Sequence, residues 1–445
     1  MNKIYLSIFC VLLLFLASCS ESIDTSDTLR TLDSNSDTIT SNTENGDDTI
    51  MASDNVYKNF KENIQFGVWN GFLSGFTDEQ HAKALKDAGI DFVIDGYNKK
   101  ILDLCEKNDL KYLIHDALDR DPYANIAKLT ASYKDSPAFL GNILWDEPSI
   151  NDYNTITKIT EAYKKAFPDK FASVNLLPLY ATEQQIGTSD YKKYVKEFAD
   201  KVATDFISVD IYPLTIYDNG EMHTYDNFIN CFAIVADECR SHNLDFRTYI
   251  QAIGWDSYYD NREASIEDLR FQLYTALSFG SKVIIYWRGA PSDLFPTGFV
   301  STAGELTELY YRVQKVNSEI KSFSNIYMKY KSLGAYTVNS GKVPAYVKNY
   351  TDQYNNFNII KTIETTQSIL VGCFDKDNDS NSKAFTIVNM SELADKLPTD
   401  VLFTLTSDKS TVTAYIKGVP TVLTNAGNGY KLTLESGEGV FITIE

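Results

Sequence analysis

The sequence predicts an α/β protein: a (β/α)8 TIM barrel followed by a C-terminal all-β sandwich. Two observations predict the barrel. Short apolar runs without polar alternation are typical of strands covered on both faces, and each run is followed by a segment with helical periodicity. Eight such units occupy about 260 residues, the usual size of a closed barrel of parallel strands. After residue 325 apolar and polar residues alternate over short runs, which predicts a sandwich.

The predicted barrel elements follow one another in strict strand–helix order. The strands are predicted at 66–71, 90–95, 111–115, 139–146, 171–176, 206–211, 246–252 and 282–287. The helices are predicted at 77–88, 100–108, 121–134, 151–167, 190–202, 225–242, 265–279 and 303–323. Helix start and stop signals support these bounds; for example, Thr77-Asp78-Glu79 opens the first helix and Gly89 follows it. A doubly wound sheet is disfavoured because no glycine-rich phosphate turn follows the first strand.

The sandwich is predicted from strands that are shorter and more closely spaced than those of the barrel. They are placed at 332–338, 345–350, 359–364, 368–375, 384–389, 401–406, 411–416, 422–423, 430–435 and 439–444. The Asn428-Gly429 pair before the strand at 430 is a hairpin signal, because both residues tolerate the left-handed backbone that tight hairpin turns need.

The residues before the barrel are predicted to be a targeting signal and a tether. The apolar run from Ile4 to Phe15 is too short to span a bilayer and is typical of a signal-peptide core. Leu16-Ala17-Ser18-Cys19 matches the bacterial lipoprotein signal, so processing would leave Cys19 as the lipidated N-terminus. An ordinary secretory signal is the alternative. The following polar segment lacks aromatic residues and is predicted to be a disordered tether.

These features divide the chain into a signal at 1–18, a tether at 19–54, a barrel at 55–325 and a sandwich at 326–445. They predict a lipid anchor at the bacterial cell envelope, with the outer membrane as the expected location. The net charge of −19 argues against nucleic acid and against anionic lipid as partners of the fold itself. Membrane contact is therefore expected through the lipid only, and the oligomeric state stays open.

No metal or organic cofactor is expected. The cysteines after the signal are sparse and their spacing matches neither a zinc site nor a disulfide framework. They are Cys105, Cys231, Cys239 and Cys373.

The candidate site follows from polar and aromatic residues at the predicted strand ends, because the C-terminal strand ends of a TIM barrel form its active face. Trp145, Asp146 and Glu147 end the fourth strand and place two carboxylates there. An acidic helix start is the structural alternative, since Pro148 suits a first helical turn and Glu147 would favour the helix dipole. The other strand-end candidates are Trp69, Asn70, Asp95, His115, Asp116, Asn175, Asp210, Tyr212, Gln251, Trp255, Asp256, Trp287 and Arg288.

Together these residue types predict a carbohydrate ligand. Carboxylates and amides hydrogen-bond hydroxyl groups, and indole faces pack against the C–H surfaces of sugars. Each residue also has a structural alternative: Trp145 can fill the space between barrel and helices, Asp95 and Asp210 can cap helices or pair with Arg288, and His115 can be a satisfied core residue. Their joint placement at one barrel rim is what favours a binding site.

At Glu147 and at Ser208-Val209-Asp210-Ile211-Tyr212-Pro213 the sequence resembles the clan of TIM-barrel glycoside hydrolases, over roughly residues 64 to 323. In that clan a glutamate that ends strand four, usually after an asparagine, is the acid/base, and a glutamate on strand seven is the nucleophile. The resemblance implies that Glu147 is the acid/base, with Asp146 in the place of the asparagine. The segment at 208–213 resembles strand six of β-galactosidase-type members.

Strand seven departs from the clan, because Gln251 stands near the expected nucleophile and a neutral amide cannot form a glycosyl-enzyme. Three hypotheses remain. In the first, the 2-acetamido group of the substrate is the nucleophile, Glu147 protonates the leaving oxygen and Asp146 orients the acetamide. In the second, Asp210 or Asp256 activates a water molecule and the enzyme inverts the anomeric configuration. In the third, the barrel only binds glycan. The first two need a raised pKa at Glu147, which Asp146 and the apolar Trp145 are expected to provide.

Overall fold

The computed structural model describes residues 60–115, 125–216, 222–224, 227–254, 261–339, 347–349, 357–377, 379–406 and 411–445. The predicted signal, the predicted tether with Cys19 as its predicted lipidation site, and the candidates Asp116, Trp255 and Asp256 lie outside these ranges. Within the described ranges, no helix has both the length and the apolar character needed to cross a membrane.

The predicted eight-stranded parallel barrel is confirmed. Its strands are β1 (Gln65–Trp69), β2 (Phe92–Asp95), β3 (Lys111–Ile114), β4 (Phe139–Asp146), β5 (Phe171–Leu176), β6 (Phe206–Asp210), β9 (Asp245–Gln251) and β10 (Val283–Trp287). They close in chain order, and β1 pairs with β10 in register from Gln65 opposite Val283. The excursion between β6 and β9 contains a small antiparallel hairpin, β7 (Leu214–Ile216) and β8 (Met222–Thr224), which the sequence pattern did not predict.

Helices follow the barrel strands as the periodicity predicts, with differences at three places. The helices are α1 (Glu79–Asp87), α2 (Lys99–Lys107), α3 (Ile126–Leu129), α4 (Tyr153–Ala166), α5 (Glu183–Ile186), α6 (Tyr191–Lys201), α7 (Phe228–His242), α8 (Ile266–Ser278), α9 (Glu308–Lys321) and α10 (Ser324–Tyr327). The described part of the helix predicted at 121–134 contains a single helical turn, and α5 was not predicted. The helix predicted from residue 303 begins at Glu308, because Gly304 adopts a left-handed turn and Thr307 caps the helix.

Aromatic side chains fill the lower half of the barrel interior. Phe60, which precedes β1, places its ring 5.9 Å from that of Phe92 and 5.1 Å from that of Phe171. The guanidinium of Arg247 lies 3.4 Å from the ring centre of Phe206 and 4.0 Å from that of Phe171. This stacking accommodates a buried cation on aromatic faces. The lower barrel is therefore a packed core, and the strand ends at the opposite, C-terminal side form the candidate site.

The C-terminal residues form the predicted sandwich of two sheets, which are antiparallel except for the parallel pairing of β12 with β11. The strands are β11 (Tyr330–Val338), β12 (Lys348–Asn349), β13 (Ile360–Thr365), β14 (Ile369–Lys376), β15 (Asp379–Asn389), β16 (Thr399–Leu405), β17 (Val412–Ile416), β18 (Val419–Val422), β19 (Tyr430–Leu434) and β20 (Gly439–Ile444). The larger sheet has the order β12-β11-β14-β15-β20-β17-β18, and the smaller has β13-β16-β19. The predicted hairpin at Asn428-Gly429 is wrong, because β18 and β19 belong to different sheets and the turn passes from one sheet to the other.

One face of the larger sheet packs directly on the barrel. Ser278 at the end of α8 hydrogen-bonds the Thr386 hydroxyl of β15 over 2.7 Å. A Cβ atom on Gly439 of β20 would lie 2.2 Å from the ring of Tyr274, so glycine is required for this close approach. Barrel helices and sandwich strands thus share one continuous hydrophobic cluster. The boundary between residues 325 and 326 stays a prediction.

Candidate active site

The end of β4 places the two adjacent carboxylates with an unusual backbone. Glu147 has a φ of 51°, in the left-handed region that non-glycine residues rarely adopt and that is concentrated at functional sites. Its amide nitrogen donates to the carbonyl oxygen of Asn175 over 2.9 Å, and the Tyr194 hydroxyl holds the next carbonyl, that of Pro148, at 2.8 Å. Strand five and helix α6 therefore fix the direction in which Glu147 points.

The helix-start alternative for this segment is not what the structure shows. The next helical turn begins at Ile150, and its capping box is formed by Ser149 and Asp152. Glu147 precedes this cap and is not part of the first turn. Its carboxyl group has no hydrogen-bond partner among the residues that the structure describes.

The side chain of Trp145 packs on the helix side of the barrel wall, which is the structural alternative given for it above. A register shift in the pairing of β4 with β5 falls between Ile143 and Trp145, and such a bulge redirects the side chains that follow it. Ile143 faces the barrel interior, whereas the half-buried Trp145 packs against the cluster between the barrel and its helices. Trp145 therefore has a packing role, and its predicted contact with substrate stays a prediction.

Asp210, at the end of β6, lies in a buried hydrogen-bonded chain. Asn175 donates to its carboxylate over 2.9 Å, and the Ser208 hydroxyl donates to the amide oxygen of Asn175 over 3.0 Å. Burial raises the pKa of Asp210 to about 7, with a further contribution from the charge of Asp146, while hydrogen bonds from Asn175 and Tyr212 oppose the rise. Because both ends of its amide are engaged, Asn175 positions Asp210. Its predicted contact with a sugar stays a prediction.

Glu147 shares this electrostatic environment. Burial raises the pKa of Glu147 well above its ordinary range, and the negative charges of Asp210 and then Asp146 raise it further. The direction agrees with the sequence-based expectation, although Asp210 was not among the predicted causes. A carboxylic acid that keeps its proton beyond the usual range is suited to donate it to a leaving group.

Gln251 on β9 is fully buried, and its amide is used by the protein backbone. The side-chain oxygen accepts from the Leu214 nitrogen over 2.9 Å, and the side-chain nitrogen donates to the carbonyl oxygens of Arg262 at 3.0 Å and Leu214 at 3.2 Å. Gln251 therefore ties the hairpin after β6 to the segment after β9. Gln251 therefore has a structural role, and its predicted contact with substrate stays a prediction.

The side chain that β9 presents to the upper barrel is that of Tyr249, which the sequence analysis missed. It is 2 % exposed and its ring centre lies 5.9 Å from that of Trp69. Tyr249 is two residues from the inward-facing Arg247, and strand side chains alternate with a period of two, so both face the interior; which of the two alternating sets faces inward is seen only in the structure. β9 thus contributes the hydroxyl group of Tyr249, and Tyr249 lies opposite Asp210 in the pairing of β6 with β9.

The predicted aromatic residues come together at the mouth of the barrel. The ring centre of Trp69 lies 4.7 Å from that of His115 and 5.5 Å from that of Trp287. Tyr212 extends the group, with its ring centre 6.0 Å from that of Trp287. Such a group offers ring faces and polar edges to a hydroxyl-rich ligand.

The remaining candidates border the first, second and eighth strands. Asn70 has a φ of 46° and its backbone bridges Ile94 and Ala290. Arg288 donates to the Ser292 hydroxyl over 3.2 Å, and its guanidinium lies 5.2 Å from the ring centre of Phe295. Burial lowers the pKa of Arg288, and the negative charge of Asp95 opposes this effect. The two side chains therefore attract each other electrostatically.

Comparisons with known proteins identify the fold. No family model matches this chain, and no curated protein matches it. Among solved structures, a β-galactosidase from Bacillus circulans sp. alkalophilus is similar with a TM-score of 0.52 at 10 % identity, over 86 % of this chain and 99 % of that one. A catalytic mutant of a GH42 β-galactosidase from G. stearothermophilus is similar with the same TM-score and identity, over 86 % of this chain and 98 % of that one. The barrel-plus-sandwich architecture is therefore shared with these two enzymes.

Proposed function

We propose that this protein is a glycoside hydrolase in which Glu147 is the general acid. The observation that supports the proposal is the half-buried Glu147 carboxyl group, which has no hydrogen-bond partner among the described residues and lies in the field of Asp146 and Asp210. It follows the C-terminal end of β4, and the aromatic group that includes Trp69 and Trp287 lies at the C-terminal ends of other strands of the same barrel. The shared fold with two β-galactosidases is consistent with this proposal.

The chemistry follows from charge. Glu147 donates its proton to the glycosidic oxygen as the bond to the anomeric carbon breaks, so the leaving group departs as a neutral alcohol. Positive charge then develops on the sugar ring. The carboxylates of Asp146 and Asp210 are positioned to stabilise that charge, because negative groups in a site of low dielectric interact strongly with it.

The nucleophile in this proposal is the 2-acetamido group of the substrate, whose carbonyl oxygen bonds to the anomeric carbon as the glycosidic bond breaks. Water then attacks the anomeric carbon and opens the cyclic intermediate, and the Glu147 carboxylate accepts the proton of that water, which restores the acid. The inward-facing residues of β9, the seventh strand of the barrel, are Arg247 and Tyr249. Among its described residues, therefore, no inward-facing carboxylate is available for a two-carboxylate retaining mechanism. Asp146 is half-buried at the mouth, whereas Asp210 is 6 % exposed and held by Asn175. Asp146 is thus the better placed to orient an acetamide, and Asp210 the less accessible base for water.

The experiment uses purified protein, chromogenic and natural glycosides that include N-acetylhexosaminides, and the variants Glu147→Gln and Glu161→Gln. Glu161 is an exposed residue of α4 and serves as the matched control. We expect Glu147→Gln to lose about 10²- to 10⁴-fold in kcat/KM on natural glycosides, the usual contribution of a general acid. The loss should be smaller on aryl glycosides, whose leaving groups need little protonation.

Two results would contradict this proposal. Equal losses on natural and aryl glycosides would show that Glu147 is not the proton donor. Binding of glycan without turnover by the unmodified protein would replace the hydrolase with a glycan-binding protein. The envelope location predicted from residues 1–19 remains part of the proposal, and detection of a lipid on Cys19 by mass spectrometry would test it.

A further inference from the structure

The hydroxyl group of Tyr249 lies buried without a hydrogen-bond partner among the residues that the structure describes. The residue is 2 % exposed, and its hydroxyl oxygen is itself buried. Leaving a buried donor unpaired is unfavourable by about 1–3 kcal/mol, and native proteins satisfy the large majority of such groups. Where the exception lies in a candidate site, a bound ligand is a direct way to supply the missing partner.

The surroundings of this hydroxyl restrict what the partner can be. Tyr249 pairs in register with Asp210, and the charges of both Asp146 and Asp210 act on its hydroxyl group. Burial and these charges raise the pKa of Tyr249 well above 10, so the group stays protonated and acts as a donor. Its ring centre lies 5.9 Å from that of Trp69, and both residues belong to the cluster inside the barrel.

We propose that Tyr249 binds substrate by donating a hydrogen bond to an oxygen of the sugar, on a substituent whose own hydrogen is accepted by Asp146 or Asp210. This inference rests on the proposed function, because it places the reacting sugar over Tyr249. The substituent must both accept and donate. Hydroxyl and acetamido groups do so, whereas a ring oxygen lacks a hydrogen and a carboxylate would be repelled by the two aspartates.

Tyr274 offers a matched control, because it is a second tyrosine with a buried hydroxyl that has no partner among the described residues. It is 1 % exposed and lies on α8 against Gly439 of the sandwich, away from the barrel mouth. Tyr249→Phe and Tyr274→Phe each remove one oxygen and keep the ring. Both should retain or slightly increase the thermal stability, since each deletes an unsatisfied buried group.

The experiment measures kcat/KM for the unmodified protein and both variants on a matched series of aryl glycosides: 2-acetamido, 2-hydroxy, and analogues deoxygenated at one ring position each. We expect Tyr249→Phe to lose about 10- to 100-fold on the preferred substrate and Tyr274→Phe to stay within about twofold. On one analogue of the series the difference between the unmodified protein and Tyr249→Phe should disappear. That analogue identifies the substituent and distinguishes acetamido from hydroxyl.

The inference would be overturned if Tyr249→Phe stayed within about twofold of the unmodified protein on every substrate, or if its loss were equal on every deoxygenated analogue. Either result leaves the role of Glu147 intact. If the unmodified protein does not turn over any substrate, the proposed function fails, and calorimetric binding of the same sugars to the three proteins tests Tyr249 separately. Unchanged affinity in Tyr249→Phe would then reject its binding role.

Discussion

Asp210→Asn should stabilise the folded protein at neutral and alkaline pH. The folded state raises the pKa of Asp210 from an ordinary 3.8 to about 7, chiefly by burial. The contribution of this group to stability is therefore fully present below the unfolded value of 3.8 and is lost as the pH rises through about 7. At about 1.4 kcal/mol per pH unit, the interval corresponds to about 4 kcal/mol of unfolding free energy. Asparagine keeps an oxygen that can accept the hydrogen bond from Asn175, and it cannot ionise, so it adds no buried charge at high pH.

The assay is urea unfolding at several values between pH 4 and pH 8 for the unmodified protein, Asp210→Asn, and the control Asp135→Asn. Asp135 has a side chain that is 84 % exposed, so its replacement should change stability by less than about 0.5 kcal/mol at every pH. The advantage of Asp210→Asn should grow with pH and approach about 4 kcal/mol at pH 8. A difference that stays constant across this range, or a variant less stable than the unmodified protein at pH 8, would refute the reasoning.

Two further predictions concern proton donation and the packing of barrel helices. If Glu147 is the general acid, kcat/KM falls as the pH rises through the raised pKa of Glu147. Asp210→Asn should move that fall to lower pH, because it removes a negative charge that raises this pKa. An alkaline limb of the pH–rate profile that does not move would argue against Glu147 as the acid. Glu319→Gln should lower the unfolding free energy by about 3–5 kcal/mol, because Arg270 and Glu319 form an ion pair with side-chain exposures of 9 % and 8 %. The exposed ion pair of Lys99 and Asp103 is the comparison. Its Asp103→Asn variant should lose less than about 1 kcal/mol of unfolding free energy in the same denaturation experiment. Similar losses in the two variants would contradict the burial of the Arg270–Glu319 pair.

At the strand ends of the barrel, the positions of the carboxylates follow from the sequence, whereas the orientations of the neighbouring side chains do not. The placement of Asp146, Glu147 and Asp210 at one rim was predictable, since each follows a recognisable apolar run and parallel strands end on the same side. The orientation of their neighbours was not. The register shift before Trp145 turns that side chain toward the helices, and hydrogen bonds from distant loops turn Gln251 into a structural residue.

The sequence by itself determined the order of strands and helices, the change from barrel to sandwich, and the adjacency of two carboxylates at the end of the fourth strand. These features are local, because hydrophobic periodicity and turn residues act within a few positions of the chain. Tertiary structure alone decided that Tyr249 lies inside the barrel with a hydroxyl group that has no partner among the described residues, and that Asn175 bridges Ser208 and Asp210. It also decided the raised pKa of Glu147, because burial and the approach of Asp210 join groups that are distant in sequence and become neighbours only when the barrel closes.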